Sequence, residues 1–311
     1  MNNYFLRRLW QAVPTLLGVL LFVFFLFNWV GGDPAYLLAG KIPNPEMIEA
    51  IRRSLGVDQP YWVQLWIFVK QVVTADFGAS WSTNERVSEI FATRLGPSLT
   101  VLLPLLFIST VLSLAAAMLV AYVRGSLTDR AVMVGCTVAQ SVSILVYILV
   151  LQYVLAYQLG WFPVQGWGST LGENLGYAAL PVLVGLVVSL APDIRLYRSF
   201  LLEEIGQDYV RTARAKGLSE ARVLWLHVLR NAAIPIATNV LIQLPGLLAG
   251  AFLIERFFSI PGIGREVILA VERSDFPIIK AVTVYVAMAT LLVNLLSDVL
   301  YKALDPRVQL K

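Results

Sequence analysis

Between Arg94 and Arg124 the chain reads LGPSLTVLLPLLFISTVLSLAAAMLVAYV, residues 95–123, and these 29 positions hold no Asp, Glu, Lys, Arg or His. One charged side chain at the centre of a bilayer-crossing helix costs roughly 2.5–3.5 kcal/mol. About 20 apolar residues carry a helix across roughly 30 Å of hydrocarbon. The stretch therefore reads as a transmembrane helix, and the fold turns on how often such windows recur. Leu9 to Gly32 is another. Uncharged runs of 42 residues separate Arg130 from Glu173, 19 separate Glu173 from Asp193, 24 separate Arg230 from Glu255 and 17 separate Lys280 from Asp298. The tail of the longest run, Gly160 to Gly176, carries Pro163, several glycines, Trp161 and Trp167, which reads as an interfacial loop. The expectation is an all-α integral membrane protein with six transmembrane helices.

Composition agrees. Of 311 residues, 58% are apolar and 14% charged, against about 25% charged in soluble domains. The net charge is +4, but the basic residues lie scattered between apolar spans and form no nucleic-acid-binding stripe. Cys136 is the single cysteine, which excludes a disulfide framework within the chain and reads as a small packing residue. Arg7 and Arg8 precede the first span. Its apolar stretch exceeds the roughly 7–15 residues of a signal core, so it reads as an uncleaved anchor.

Lys and Arg set the orientation. With the N-terminus inside, the inner segments hold 14 basic residues and the outer segments 10, six of them in the long loop that counts least. Both termini are expected in the cytoplasm. Residues 1–30 then form the N-terminal segment and first helix, 31–95 a large outer loop, and 96–311 a five-helix core with an inner loop at 195–234.

The outer loop is patterned. Pro45 to Leu55 reads as a short helix ended by Gly56. Tyr61 to Val73 places Trp62, Leu65, Trp66 and Val69 on one helical stripe, which suits packing on the bundle, a place in the headgroups, or docking of an outside partner.

The inner loop is the most informative segment. Asp208 can cap a helix through Ala215, with Arg211, Arg214 and Lys216 placed to suit its C-terminal dipole. Gly217 falls where a positive φ is wanted. Ser219 can cap a second helix, with Leu218 and Val223 spaced as a hydrophobic staple. That helix brings Val223, Leu224, Trp225, Leu226 and Val228 beside Arg222 and Arg230. A loop that only had to be positive inside would need no such structure. An exposed apolar helix suggests a protein groove to fill.

From Asp208 through Tyr209, Val210, Arg211, Thr212, Ala213, Arg214, Ala215, Lys216 and Gly217 to Leu218, the run resembles the cytoplasmic coupling motif of binding-protein-dependent ABC transporter permeases. The likeness is to the branch importing dipeptides, oligopeptides and nickel, and His227 to Pro235 fits the same branch. It departs from the broad permease pattern at Arg211-Thr212-Ala213 and at Arg230, which tells against sugar or phosphate permeases. Arg7 to Gly18 with Gly32-Asp33-Pro34-Ala35, Leu55 to Pro60 with Asp76-Phe77-Gly78, Phe258 to Arg265, and Val293 to Arg307 are similar to further family stretches, in order along the chain. The resemblance implies the first of two unlike permease subunits in a bacterial inner membrane. Its partners would be a second permease, two ATPase subunits and an external solute-binding protein. It implies that ATP and magnesium are held by the partners, and that the turn at Gly217 seats in an ATPase groove. Ala213 and Ala215 would permit close approach there, with Leu218 and Val223 fixing the second helix against the ATPase. Di- or oligopeptides are the expected solutes, with nickel and glutathione-type solutes as alternatives.

No enzyme site is visible. His227 is the only histidine and reads as a helix-surface residue, a two-histidine zinc motif is impossible, and no Gly-x-x-x-x-Gly-Lys-Ser/Thr phosphate loop occurs. The competing class is an ion-coupled secondary transporter or channel, which usually keeps ionisable groups near mid-membrane. Only Asp298 lies within a span, near an end. Gln140, Ser141, Ser143, Gln152, Gln243 and Asn294 could line a path, or equally make hydrogen bonds between helices. Gly246 and Gly250 suit close helix packing.

Overall fold

The computed structural model describes residues 2–30, 33–39, 44–249 and 251–304. The described residues form helices and loops, with one isolated antiparallel bridge, Ala79 to Arg86, and no named strand. Helix α1 (Asn2–Phe25) continues through a wider π-turn to Val30. Short helices α2 (Pro34–Leu38), α3 (Pro45–Leu55) and α4 (Tyr61–Thr74) follow. The long helix α5 (Val87–Tyr122) leads to α6 (Leu127–Gln140) and α7 (Ile144–Leu151), which runs on in π-form to Gln158. Next come α8 (Leu171–Ile205), α9 (Asp208–Ala215), α10 (Glu220–Val223) and α11 (Leu229–Ala249), with a π-segment at Leu224–Val228 between the last two. Helices α12 (Phe252–Phe257), α13 (Ile263–Glu272) and α14 (Phe276–Leu304) complete the chain.

Among the described residues three helices are long and apolar enough to cross a bilayer: α5, α8 and α14 over Phe276–Ser297. The pair α6 and α7 qualifies together as a fourth, bent by 92° at its break. Helix α1 contributes a shorter apolar run, Val13–Trp29, and α11 has 21 residues. At 1.5 Å per residue, the 36 residues of α5 span about 54 Å. That helix therefore reaches well beyond the hydrocarbon and carries structure at both ends.

Helices α5 and α8 form the most extensive helix pair among the described residues. At the Tyr122 end of α5, Ala117, Met118 and Ala121 join Tyr197, Leu201 and Ile205 of α8 in an apolar cluster that receives α9, α10 and α11. At the Val87 end, Val87 and Ile90 join residues of α1, α4, α13 and α14 in a second cluster.

Several expectations are refined. Gly56 ends α3 with φ +67°, as its position suggests. The tryptophan stripe of α4 divides: Phe68 and Val72 are buried and Leu65 packs beside them, while Trp62 and Trp66 are exposed. The loop expected to Gly176 stops at Thr170, because Thr170 and Glu173 form a capping box that starts α8. Helix α8 then runs unbroken past Asp193 and Arg195 to Ile205, so the first 11 residues of the expected inner loop continue the span's helix. Asp298 lies on α14, but its side chain, Gly250 and the tail containing Arg307 fall outside what is described.

Candidate functional site

The segment singled out by sequence folds as two short helices about a tight turn. The N-cap of α9 is Gln207, not Asp208, and no side chain caps it. Asp208 is instead the first helical residue, and its carboxylate pairs with Arg211 at 3.3 Å on the exposed face. At the other end Gly217 takes φ +78°. The Gly217 amide donates to the Arg214 carbonyl (2.9 Å) and the Leu218 amide to the Ala213 carbonyl (3.3 Å). These two bonds are the Schellman pair, closed by Leu218 packing into the cluster that holds Ala213. Ser219 stands at the N-cap of α10 without a side-chain bond. Arg214 bridges the turn instead, donating to both Glu220 oxygens at 2.7 and 3.2 Å.

Burial separates the residues by role. Val210, Val223 and Val228 are fully buried and Ala213 and Leu224 nearly so, against Tyr197 and Leu201 of α8, Met118 of α5, and Ala232 and Ile236 of α11. Ala213, Leu218 and Val223 thus face this chain's own core, not an outside groove as the resemblance implied. The reason is periodicity: 210 and 213 lie on one face of α9, and 223, 224 and 228 repeat it beyond the turn. Arg211, Thr212, Arg214, Ala215, Lys216 and Gly217 form the exposed face, flanked by exposed Trp225 and Leu226. Tyr209 is half-buried and donates to Glu204 at 2.5 Å. Burial, reinforced by that neighbouring carboxylate, pushes its hydroxyl up to about 12.

The six polar candidates within the spans do not form one set. Gln140, Ser141 and Ser143 meet at the break between α6 and α7, all exposed. Gln140 accepts from Arg195 of α8 at 2.9 Å, Ser141 donates to the Thr137 carbonyl, and Ser143 caps α7 through Leu145. Gln152 lies apart and donates to the Val164 carbonyl. Gln243 and Asn294 are exposed on α11 and α14.

Sequence reasoning missed the buried carboxylates, of which two among the described residues, Glu255 and Asp275, are wholly buried. Glu255 of α12 accepts from Ser98 of α5 (2.8 Å) and from the amides of Ala251 and Arg265 (both 3.1 Å), and Ser98 accepts from the Ile263 amide. A Cβ at Gly262 would collide with Glu255 Oε2 and Ser98 Oγ, so the Pro261-Gly262-Ile263-Gly264 turn needs glycine to let the carboxylate in. Asp275 accepts from Ser80 Oγ (2.5 Å), Ser82 Oγ (2.8 Å) and the amides of Trp81 and Ser82 (both 3.1 Å). The available signal was position for Glu255, which closes the uncharged window 231–254; Asp275 stands only five residues before Lys280 and ends no such window.

The arrangement is a bundle of apolar helices with a structured basic turn at one end. The chain belongs to the family described as "Binding-protein-dependent transport system inner membrane component", whose model matches residues 109–310. The companion model "Binding-prot-dependent transport system membrane comp, N-term" matches residues 1–102. It is an inner membrane component of an ABC importer. Among curated proteins it is 35% identical over 311 residues to the glutathione transport system permease protein GsiC of Salmonella typhi. It is 34% identical to the protein of that name from Escherichia coli strain K12 and from Shigella boydii serotype 4. Each match covers 100% of both chains.

Proposed function

We propose that the chain crosses the inner membrane six times with both termini in the cytoplasm. It would pair with a second permease and two ATPase subunits to import solute delivered by an external binding protein. On this reading α1, α5, the bent α6–α7 pair, α8, α11 and α14 are the spans. The exposed face of α9 and its turn, from Asp208 and Arg211 through Thr212, Ala215 and Lys216 to Gly217, docks on an ATPase that holds ATP and magnesium. Di- or oligopeptides are the solute class. The full-length similarity to permeases named for glutathione transport favours a short peptide of that size over nickel. Gln140, Ser141 and Ser143 are proposed to line the path, because a polar break in a span exposes backbone where a solute can pass.

The observation that carries the reading is how the turn is mounted. Its exposed face is basic and polar, and its buried face is fused to α5, α8 and α11 in one apolar cluster. Closely packed cores transmit displacement rather than absorb it, so a push on α9 would reach three spans at once. The test is co-purification of the C-terminally tagged chain from its native membranes, followed by uptake of labelled glutathione and dipeptides in vesicles with binding protein outside and ATP inside. Recovery of a second permease and ATPases with ATP-dependent uptake is expected. Recovery of the chain alone, transporting without ATP, would establish the secondary-transporter reading.

A further inference from the structure

A cavity of about 330 Å³ lies between the end of α1, the α3–α4 junction, the 77–81 turn and the start of α14, with Phe24, Asn28, Phe68, Gln71, Trp81 and Lys280 among its walls. That volume is at the lower end of small-molecule sites. None of its lining residues is Asp or Glu. Lys280, one turn into α14, makes no ion pair among the described residues, and its one neighbour of note is the Phe27 ring, 5.6 Å from Nζ to centroid. A cation–π contact offsets only about 0.5–2 kcal/mol, which is small against the several kcal/mol of withdrawing an ammonium from water. The cavity therefore presents uncompensated positive charge beside two aromatic walls.

Its surroundings say what kind of anion. Trp29, Trp62 and Trp66 are 79%, 74% and 69% exposed on α1 and α4, the two helices that wall the cavity. Exposed tryptophans of an integral membrane protein concentrate at headgroup level, and an ammonium drawn from water at that level is compensated by an anion, which the bilayer supplies there as lipid phosphate. We propose that this cavity holds the phosphate headgroup of an anionic phospholipid, with Lys280 as its counter-ion, Asn28 and Gln71 as amide donors, and Phe24 and Phe68 against the glycerol. The inference does not depend on which solute the chain carries or on which membrane face the cavity lies.

The test is native mass spectrometry of the full-length chain in detergent, given equimolar phosphatidylglycerol and phosphatidylethanolamine. Wild type should retain phosphatidylglycerol about fivefold over phosphatidylethanolamine, the ratio that one lysine confers. Lys280→Gln should erase the preference and Lys280→Arg should keep it. Gln71→Glu, which brings a competing carboxylate to the wall while leaving Lys280 in place, should erase it too, and decides the matter if Lys280→Gln fails to insert. Equal retention of both lipids by wild type, or an unchanged preference in Lys280→Gln or Gln71→Glu, would overturn the proposal. So would displacement of the lipid by millimolar glycerol phosphate, which would mark a site for soluble anions.

Discussion

The α12–α13 segment and the α9–α10 segment are both pairs of short helices about a tight turn, packed on opposite ends of α5, yet they are held by opposite means. The first is fastened by charge taken inside: Glu255 and Asp275 are wholly buried, each ringed by three or more donors. The second buries only apolar side chains and keeps its charges in water. A buried carboxylate with all its donors fixes one geometry, since any shift orphans several groups together. An apolar face tolerates small sliding, because dispersion contacts are many and individually weak. The difference suits a segment that must stay seated and one that must move with a partner.

The comparison breaks most visibly at Glu255. Replacing it with alanine leaves the Ala251 and Arg265 amides and the Ser98 hydroxyl without their acceptor inside the protein. At roughly 1–3 kcal/mol for each orphaned group, with partial relaxation, the loss is expected to be about 3–5 kcal/mol. The readout is unfolding by dodecyl sulfate in mixed micelles. A loss under about 1 kcal/mol would mean that apolar packing alone holds the segment, and the contrast with α9–α10 would fall.

Gly217→Val comes next and tests the other side. No atom lies within 4 Å of a Cβ at that position, so the cost is backbone strain alone, about 1–3 kcal/mol for a non-glycine residue in the left-handed region. The variant should insert at normal levels yet transport nothing, since the turn can hold its place only by unwinding the end of α9. Normal transport would remove the coupling role assigned to this turn.

How much of this was legible follows the same division. The inner turn could be read because its signals are local: a glycine at the position of positive φ and basic residues before it. Which side of α9 faces the core was not legible, since Ala213 and Ala215 look alike until a partner helix chooses between them. The long apolar helix α5 was legible from charge alone, but the break at Gln140–Ser143 was not. No proline or glycine stands between Gln140 and Ser143 to announce it, and the Arg195 side chain that meets Gln140 there comes from 55 residues away. Glu255 and Asp275 were hidden for a related reason. An acid at the end of an apolar run, like Glu255, or in a short charged loop, like Asp275, reads as water-facing, and only the Ser98 and Ser80 contacts, at separations of 157 and 195 residues, reveal that it is inside.

Tyr209 sharpens the comparison by pH. Its folded value of about 12 stands above an ordinary tyrosine's, near 10, so the native state holds this proton after the unfolded chain has released its own. The stabilisation is therefore fully present below about pH 10 and is lost progressively as pH rises toward 12. The difference in unfolding midpoint between wild type and Tyr209→Phe should be constant from pH 7 to 9 and shift against wild type from pH 10 to 11. A flat difference throughout would mean that the hydroxyl is not held buried beside Glu204.

The smallest effect belongs to the Arg214–Glu220 pair. Its geometry is bidentate, the strongest form of such a contact, and it bridges the turn that carries the proposed docking face. Both side chains are about half in water, where screening and lost side-chain freedom leave an ion pair about 0.2–1 kcal/mol. A double-mutant cycle with Arg214→Ala and Glu220→Ala should return a coupling within that range, and it should shrink in 0.5 M salt. If α9–α10 is held by its apolar face, removing the pair leaves the turn intact and changes stability little. A coupling above about 2 kcal/mol would show this segment to be charge-fastened after all, and the two ends of α5 would then be built on one principle, not two.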